Sequence, residues 1–410
     1  MNRVLYVGID LAETEPHRAS ILNDDKVLRE LKIEPTAQGL ASLLHAIATY
    51  EPDKSQVLIA VERPDGPFVG ELLQGGYSIY PINPKALERY RERFTLAGTK
   101  TDILDARCLA SLLRTDRNAY RPLVPDSPRT RELRMLTRDL ADFEKTQTML
   151  VLQLRAAIYA SFPGIVPVFK DLTAPSALGF LKAFPTLQEA SHASDDQIAA
   201  VLKAAGYASP ARKVEQLREA LARPQFTVDA AVVAAKRMLI LSLTETLITL
   251  HQQIKAYDKR VSELFEDHPD REVFRSLPGA GPRLSARMAA ELGDRRERFP
   301  SPRDVAAFAG MAPVTRQSGK SRVVVFRRAC SKPFRETMHQ FGFCSLTRAP
   351  WARDYYDAKR AQGKGHAEAL RCLGCIWLRI IHSMWTHHSP YDQTRFITAR
   401  SAPVPDGGMT

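Results

Sequence analysis

Apolar and polar positions alternate with two different periods over the first 125 or so residues. Val4 to Ile9 reads as a strand and His17 to Leu22 as a second. The turn Asn23-Asp24-Asp25-Lys26 leads into a third strand at Val27 to Ile33, so an antiparallel meander is predicted. Ala37 to Tyr50 has helical spacing, with Leu40, Leu43, Leu44 and Ile47 on one face. Val57 to Val61 is a short continuous apolar run, the pattern of a strand covered on both faces. A helix (Phe68 to Leu73), a strand (Tyr77 to Ile82) and a helix carrying Asp102, Asp105, Leu109 and Leu112 complete the block.

Farther on, apolar residues recur at 133, 136, 140, 143, 150, 154 and 157, and again from Ile240 through Leu247 and Ile254 to Leu264. Both runs keep the three-four alternation of a coiled-coil seam. They can pair with each other as an antiparallel hairpin or with another subunit. Between them, residues 162–235 read as a helical insertion cut into short pieces by Pro175, Pro185, Pro210 and Pro224. The third block opens with Leu277-Pro278-Gly279-Ala280-Gly281-Pro282 ahead of an amphipathic helix, Leu284 to Leu292. A tight glycine turn before a helix can offer backbone N–H groups to a phosphate, as a helix–hairpin–helix does; a plain connecting turn is the simpler alternative. Gly310 to Arg322 reads as a polar, basic loop.

The expected architecture is α/β plus all-α. Three antiparallel strands followed by alternating helix and strand is the order of a ribonuclease-H-like, RuvC-like domain, here 1–125. Residues 126–270 form a helical coiled-coil region, 271–390 a helical domain with the hairpin, and 391–410 a flexible tail.

Composition sharpens the choice of partner. Lys and Arg number 58 against 46 Asp and Glu, a formal net charge of +12. Such a surplus favours a polyanion, above all nucleic acid. No stretch approaches the roughly 18 to 20 apolar residues of a membrane span, and no signal peptide opens the sequence, so no membrane partner is expected. The 5 cysteines have no regular spacing, which fits a reducing cytoplasm better than a disulfide framework. Cys372 and Cys375 have zinc-ligand spacing but no second pair, and their helical apolar setting argues for buried thiols.

The candidate chemistry lies in four acids. Asp10 closes the first strand, Glu62 closes the run from Val57, and Asp102 and Asp105 stand one helical turn apart. Each alone has a bland explanation: a turn cap, a loop residue, or negative charge at a helix N-terminus. Together they suit Mg²⁺, which binds carboxylate oxygens at about 2.1 Å. Two such ions about 4 Å apart can clamp the attacking and leaving oxygens of a phosphodiester. Ser318 is the candidate nucleophile, with Arg316, Lys320 and Arg322 close by to stabilise charge on phosphorus. Ser321 competes for the role. Tyr355 and Tyr356 read as packing residues.

In sum, the order of these pieces resembles the insertion-sequence one-ten transposases and their Piv-type invertase relatives. The resemblance is carried by Gly8-Ile9-Asp10, Lys100-Thr101-Asp102-Ile103-Leu104-Asp105-Ala106, and Phe308-Ala309-Gly310-Met311-Ala312-Pro313 with Gln317-Ser318-Gly319. It covers roughly residues 1–160 and 236–385, the insertion being longer than the family pattern. The resemblance implies Mg²⁺ held by Asp10, Glu62, Asp102 and Asp105, with Mn²⁺ able to substitute, and a serine, Ser318, that joins covalently to DNA. It further implies donor and target DNA, a structured guide RNA, and a homo-oligomer, dimer or tetramer, with a composite active site. Gly279, Gly281, Arg316, Lys320 and Arg322 are the expected nucleic-acid contacts. Rival readings are a metal-dependent junction nuclease that uses water and a non-catalytic DNA-binding protein.

Overall fold

The computed structural model describes residues 4–93, 101–224, 226–319 and 321–394. Lys100, Lys320 and the expected tail from 395 onward lie outside the described residues. The chain forms two compact units, Met1–Pro125 and Asp126–Thr410.

In the first unit, β1 (Leu5–Asp10), β2 (His17–Asn23) and β3 (Lys26–Ile33) make the antiparallel meander. α1 (Ala37–Tyr50) leads to β4 (Val57–Val61), α2 (Pro67–Gln74), β5 (Ser78–Pro81), α3 (Pro84–Arg91) and α4 (Asp102–Asp116). The sheet order is β3-β2-β1-β4-β5, with β1, β4 and β5 parallel. This mixed sheet is compatible with a ribonuclease-H-like domain. β4 is buried along its whole length, as its unbroken apolar run requires. α3 was not legible in the sequence, because only Leu87 and Tyr90 of its residues are buried.

One glycine sets how closely helix and sheet approach. A Cβ built on Gly8 would stand 1.9 Å from the Ala106 carbonyl oxygen and 2.5 Å from the Ala110 backbone nitrogen. α4 therefore lies directly on β1. Its direction follows from the groups along it. Thr101 and Asp102 share a surface depression with Arg18 and Lys32, Arg107 pairs with Glu30 on β3, and Arg114 pairs with Asp25 at the far β2–β3 turn. The N-terminus of α4 thus sits at the same end of the sheet as Asp10.

The second unit begins with α5 (Pro128–Ser161), a helix of 34 residues. α6 (Pro175–Ala183), α7 (Leu187–His192), α8 (Asp195–Ala204) and α9 (Pro210–Ala222) form the insertion, and α10 (Ala230–Glu266) runs back along α5. Leu154 shares a core cluster with Ile240 and Leu243, whereas Leu133 shares one with Val261 and Leu264, so the pairing is antiparallel and within the chain. The insertion closes its own apolar core around Phe162, Phe180 and Leu217 at the Leu154 end of this hairpin.

α11 (Arg271–Arg275), α12 (Pro282–Leu292) and α13 (Pro302–Phe308) follow, then β6 (Val314–Ser318), β7 (Ser321–Val325), α14 (Lys332–Ser345), α15 (Pro350–Ala361) and α16 (His366–Thr386). Trp377 and Trp385 of α16 are fully buried at the centre of this part. The stretch 310–322, expected as a loop, is instead largely an antiparallel hairpin. Tyr391, expected in the tail, is docked: its N–H donates to Ser276 Oγ at 2.7 Å and its hydroxyl accepts from Trp351 Nε1 at 2.9 Å. Cys372 and Cys375 lie on α16, and burial pushes the Cys375 thiol up to about 11, which fits a packed thiol.

Gly8→Ala should cost about 2 kcal/mol or more, because its methyl would meet backbone atoms that cannot move independently. Gly70→Ala, with open space around its Cβ position, is the control and should cost nothing. Urea denaturation of the two variants checks this; equal midpoints would mean that α4 does not rest on Gly8.

Candidate active site

Strand register gathers the first two acids. β1 and β4 run parallel with Ile9 opposite Val61. Asp10 and Glu62 each stand one residue farther along these strands, hence about one strand spacing apart, some 4.8 Å between backbones. Both are partly buried. Thr101 caps α4 by accepting from the Leu104 N–H at 3.3 Å, which fixes where the helix starts and puts both remaining acids in its first turn.

Those two acids differ in setting. Asp102 is exposed, whereas Asp105 is 2% exposed and its Oδ1 accepts from Arg91 Nε at 2.5 Å. The sequence expectation had them side by side and missed Arg91 altogether. No periodicity links a residue at the end of α3 to one in α4, so this partner had no signal in the sequence. As they stand, no three His, Cys, Asp or Glu side chains among the described residues converge as a metal-ligand set. The donor chemistry and the shared sheet end nevertheless suit a hard divalent cation. Carboxylates repel one another without such an ion, and Arg91 supplies the compensating charge to Asp105.

The serine candidates lie in the second unit. Ser318 and Ser321 face each other across a two-residue turn whose Gly319 has φ +53°, a left-handed conformation that glycine adopts freely. Strand alternation puts Arg316, Ser318, Ser321 and Val323 on one face of the hairpin and Gln317 with Arg322 on the other. Arg316 therefore shares a face with both serines, and Arg322 does not. All four of these polar residues are exposed. The two serines stand directly opposite one another, which is why spacing alone could not separate them.

The glycine turn before α12 divides its two expected contacts. Gly279 has φ +85°, and its Cβ position would lie 2.7 Å from the Cys344 carbonyl oxygen, so it serves packing against α14. Gly281 is open on that side and caps α12. Arg283 in the first turn of α12 is already engaged by Asp258 and Glu144. A different basic feature lies beside the serine hairpin. Phe326, just beyond β7, is flanked by Arg335 and Arg371, whose guanidinium carbons lie 4.5 and 4.8 Å from its ring centre.

Two sequence-family models match the chain: a DEDD-type transposase domain over residues 7–163 and a transposase domain of the IS116/IS110/IS902 family over residues 271–357. A mini-circle putative transposase for IS117 of Streptomyces coelicolor is 31% identical over 402 residues, which is 95% of this chain and 96% of that protein. An uncharacterised 42 kDa protein of insertion element IS900 from Mycobacterium paratuberculosis is 25% identical over 400 residues, 95% of this chain and 98% of its own. A putative transposase y4uE of Sinorhizobium fredii is 33% identical over 205 residues, covering 49% of this chain and 56% of its own.

The fold and these matches define a transposase, an enzyme that cuts and rejoins DNA. The chain belongs to the IS110 family of insertion-sequence transposases. A DEDD domain points to a divalent-metal requirement.

Arg91→Met should destabilise the first unit by about 3 kcal/mol, since it leaves the buried Asp105 carboxylate uncompensated. Arg107→Met breaks a pair whose side chains are 44% and 31% exposed, and should cost less than about 1 kcal/mol. Urea midpoints compare them. Equal losses would show that the Arg91 pair carries no special burden.

Proposed function

We propose that the chain is a serine-dependent DNA recombinase whose acidic end is Asp10, Glu62, Asp102 and Asp105 and whose nucleophile is Ser318. The support that carries this reading is convergence of placement. Two acids end neighbouring parallel strands, and the helix bearing the other two starts at the same end of the sheet. Mg²⁺ bound there, as one or two ions and replaceable by Mn²⁺, supplies Lewis-acid stabilisation of charge on the phosphodiester oxygens.

Ser318 Oγ attacks phosphorus; the Oγ–P bond forms as the P–O3′ bond breaks, leaving a DNA 3′-hydroxyl and a phosphoserine link. Arg316, on the same hairpin face, balances the negative charge gathered on phosphorus. Gly319 carries no side chain, so DNA can reach the hydroxyl. Gly281 and the basic residues Lys320 and Arg322 contribute backbone contacts that position the strand. Family membership favours donor and target DNA, a structured guide RNA, and an oligomer in which the acids of one copy serve the serine of another.

The water-using nuclease is the second reading. Nothing singles out Ser318 over a bound water except its exposed place on the turn and the family pattern. Ser318→Ala should abolish covalent protein–DNA adducts and strand exchange, read on denaturing gels with end-labelled DNA; Ser321→Ala should retain both. Cleavage at the wild-type rate by the Ser318 variant would hand the role to water or to Ser321. Chelation of divalent cations, or Asp102→Asn, should reduce cleavage at least a hundredfold, about 2.7 kcal/mol of barrier at 1.36 kcal/mol per tenfold. Full activity in chelator would remove the metal from the scheme.

A further inference from the structure

A cavity of about 710 Å³ adjoins the acidic end of the sheet and has no role in the scheme above. Its walls come from four segments: the loop after β1, the start of β2, the first half of α1, and the loop from β4 into α2. Leu11 lines it and is the residue after Asp10; Arg63 lines it and is the residue after Glu62. The volume falls within the range of pockets that take small organic ligands, roughly 300–1,000 Å³. Leu11, Leu44 and Phe68 are apolar walls only partly covered by the core beneath.

One wall is polar and buried. His17 is 5% exposed, and its Nδ1 accepts the Ala12 N–H at 3.2 Å. Burial lowers its pKa, so the ring is neutral and carries its proton on Nε2. That donor has no partner among the described residues. The ring meets Phe68 edge-on, 4.8 Å between centres at 79°. At the rim, Arg63 pairs with Glu13 at 2.7 Å, but both side chains are more than half exposed. Such a pair is weak and its guanidinium is free to change partners.

We infer that this cavity receives a nucleobase turned out of the strand that is being cut, next to the phosphate held at Asp10 and Glu62. A base is flat, apolar on its faces and rich in acceptors at its edge. The cavity offers apolar walls, an aromatic ring and one fixed donor, His17 Nε2–H, while Arg63 meets the phosphate beside the base. A lipid or peptide would leave either the buried donor or the rim charge without a purpose. The inference rests on the proposed phosphodiester chemistry, yet it can fail separately.

The test uses the full chain with short single-stranded DNA bearing one thiothymidine, irradiated in the presence of Ca²⁺, with the crosslinked peptide mapped by mass spectrometry. The expected adducts fall on the segments holding Leu11 to His17 and Arg63 to Phe68. Phe68→Ala should weaken binding about tenfold, the size of one lost base–aromatic stack. Leu44→Trp, which fills the cavity from α1, should abolish those adducts while binding of the same strand with abasic sites stays unchanged. His17→Gln, which keeps a donor, should retain them.

RNA of matching sequence carrying thiouridine separates the sources: adducts from RNA alone would overturn the assignment to the cut strand. Adducts only outside these segments would overturn the pocket. So would a change of oligomeric state in Leu44→Trp with no change in crosslinking, which would mean that protein fills the cavity. Ser318→Ala should crosslink like the parent chain. Loss of cavity adducts while phosphoserine links still form would reject the pocket and leave the recombinase reading standing.

Discussion

The contact on which the first unit depends is the seating of α4 on β1 at Gly8. A side chain of any size there would push the helix off the sheet, because its nearest neighbours are backbone atoms of α4. The close approach decides where the first turn of α4 falls. Thr101 then decides where that turn begins. Register between β1 and β4 independently brings Asp10 beside Glu62. Three local rules, each with its own physical cause, thus converge at one end of the sheet.

Concentrating negative charge in this way has an electrostatic cost, and the surrounding arginines show how it is met. Arg91 takes the buried Asp105, Arg18 sits opposite Asp10 on β2 and shares the depression with Asp102, and Arg63 engages Glu13 just beyond Glu62. The pairs differ in strength. Arg91 and Asp105 are largely out of solvent, where attraction is strong and loss of a partner is damaging. Arg63 and Glu13 are exposed, so their attraction is screened and easily exchanged. The acidic end is consequently stiff at Asp105 and pliable at its rim.

Much of the first unit was legible because its signals are local and strong. β4 reads as a buried strand from five consecutive apolar residues, and α1 from one apolar face; both stand where expected. The long helices were equally clear, though only the structure shows that they pair within the chain. What stayed hidden is non-local or solvated. Arg91, His17 and Phe68 gain their meaning from neighbours far off in sequence. The hairpin from Val314 to Val325 read as a loop because nearly all its residues face solvent, so burial imposed no alternation of polar and apolar positions. Gly279 and Gly281 look alike in sequence, but one is closed against Cys344 and the other is open.

That solvated hairpin has a consequence for timing. Two strands with both edges free and valines 323 and 324 more than half exposed cannot hold a fixed shape by themselves. The hydroxyl of Ser318 rides on the least self-sufficient element of its unit. Whatever docks against those valines bears the entropic charge of ordering the turn. An enzyme that breaks chromosomes gains a safety catch from such an arrangement: a solitary copy keeps its blade loose, and only a complete assembly holds it steady.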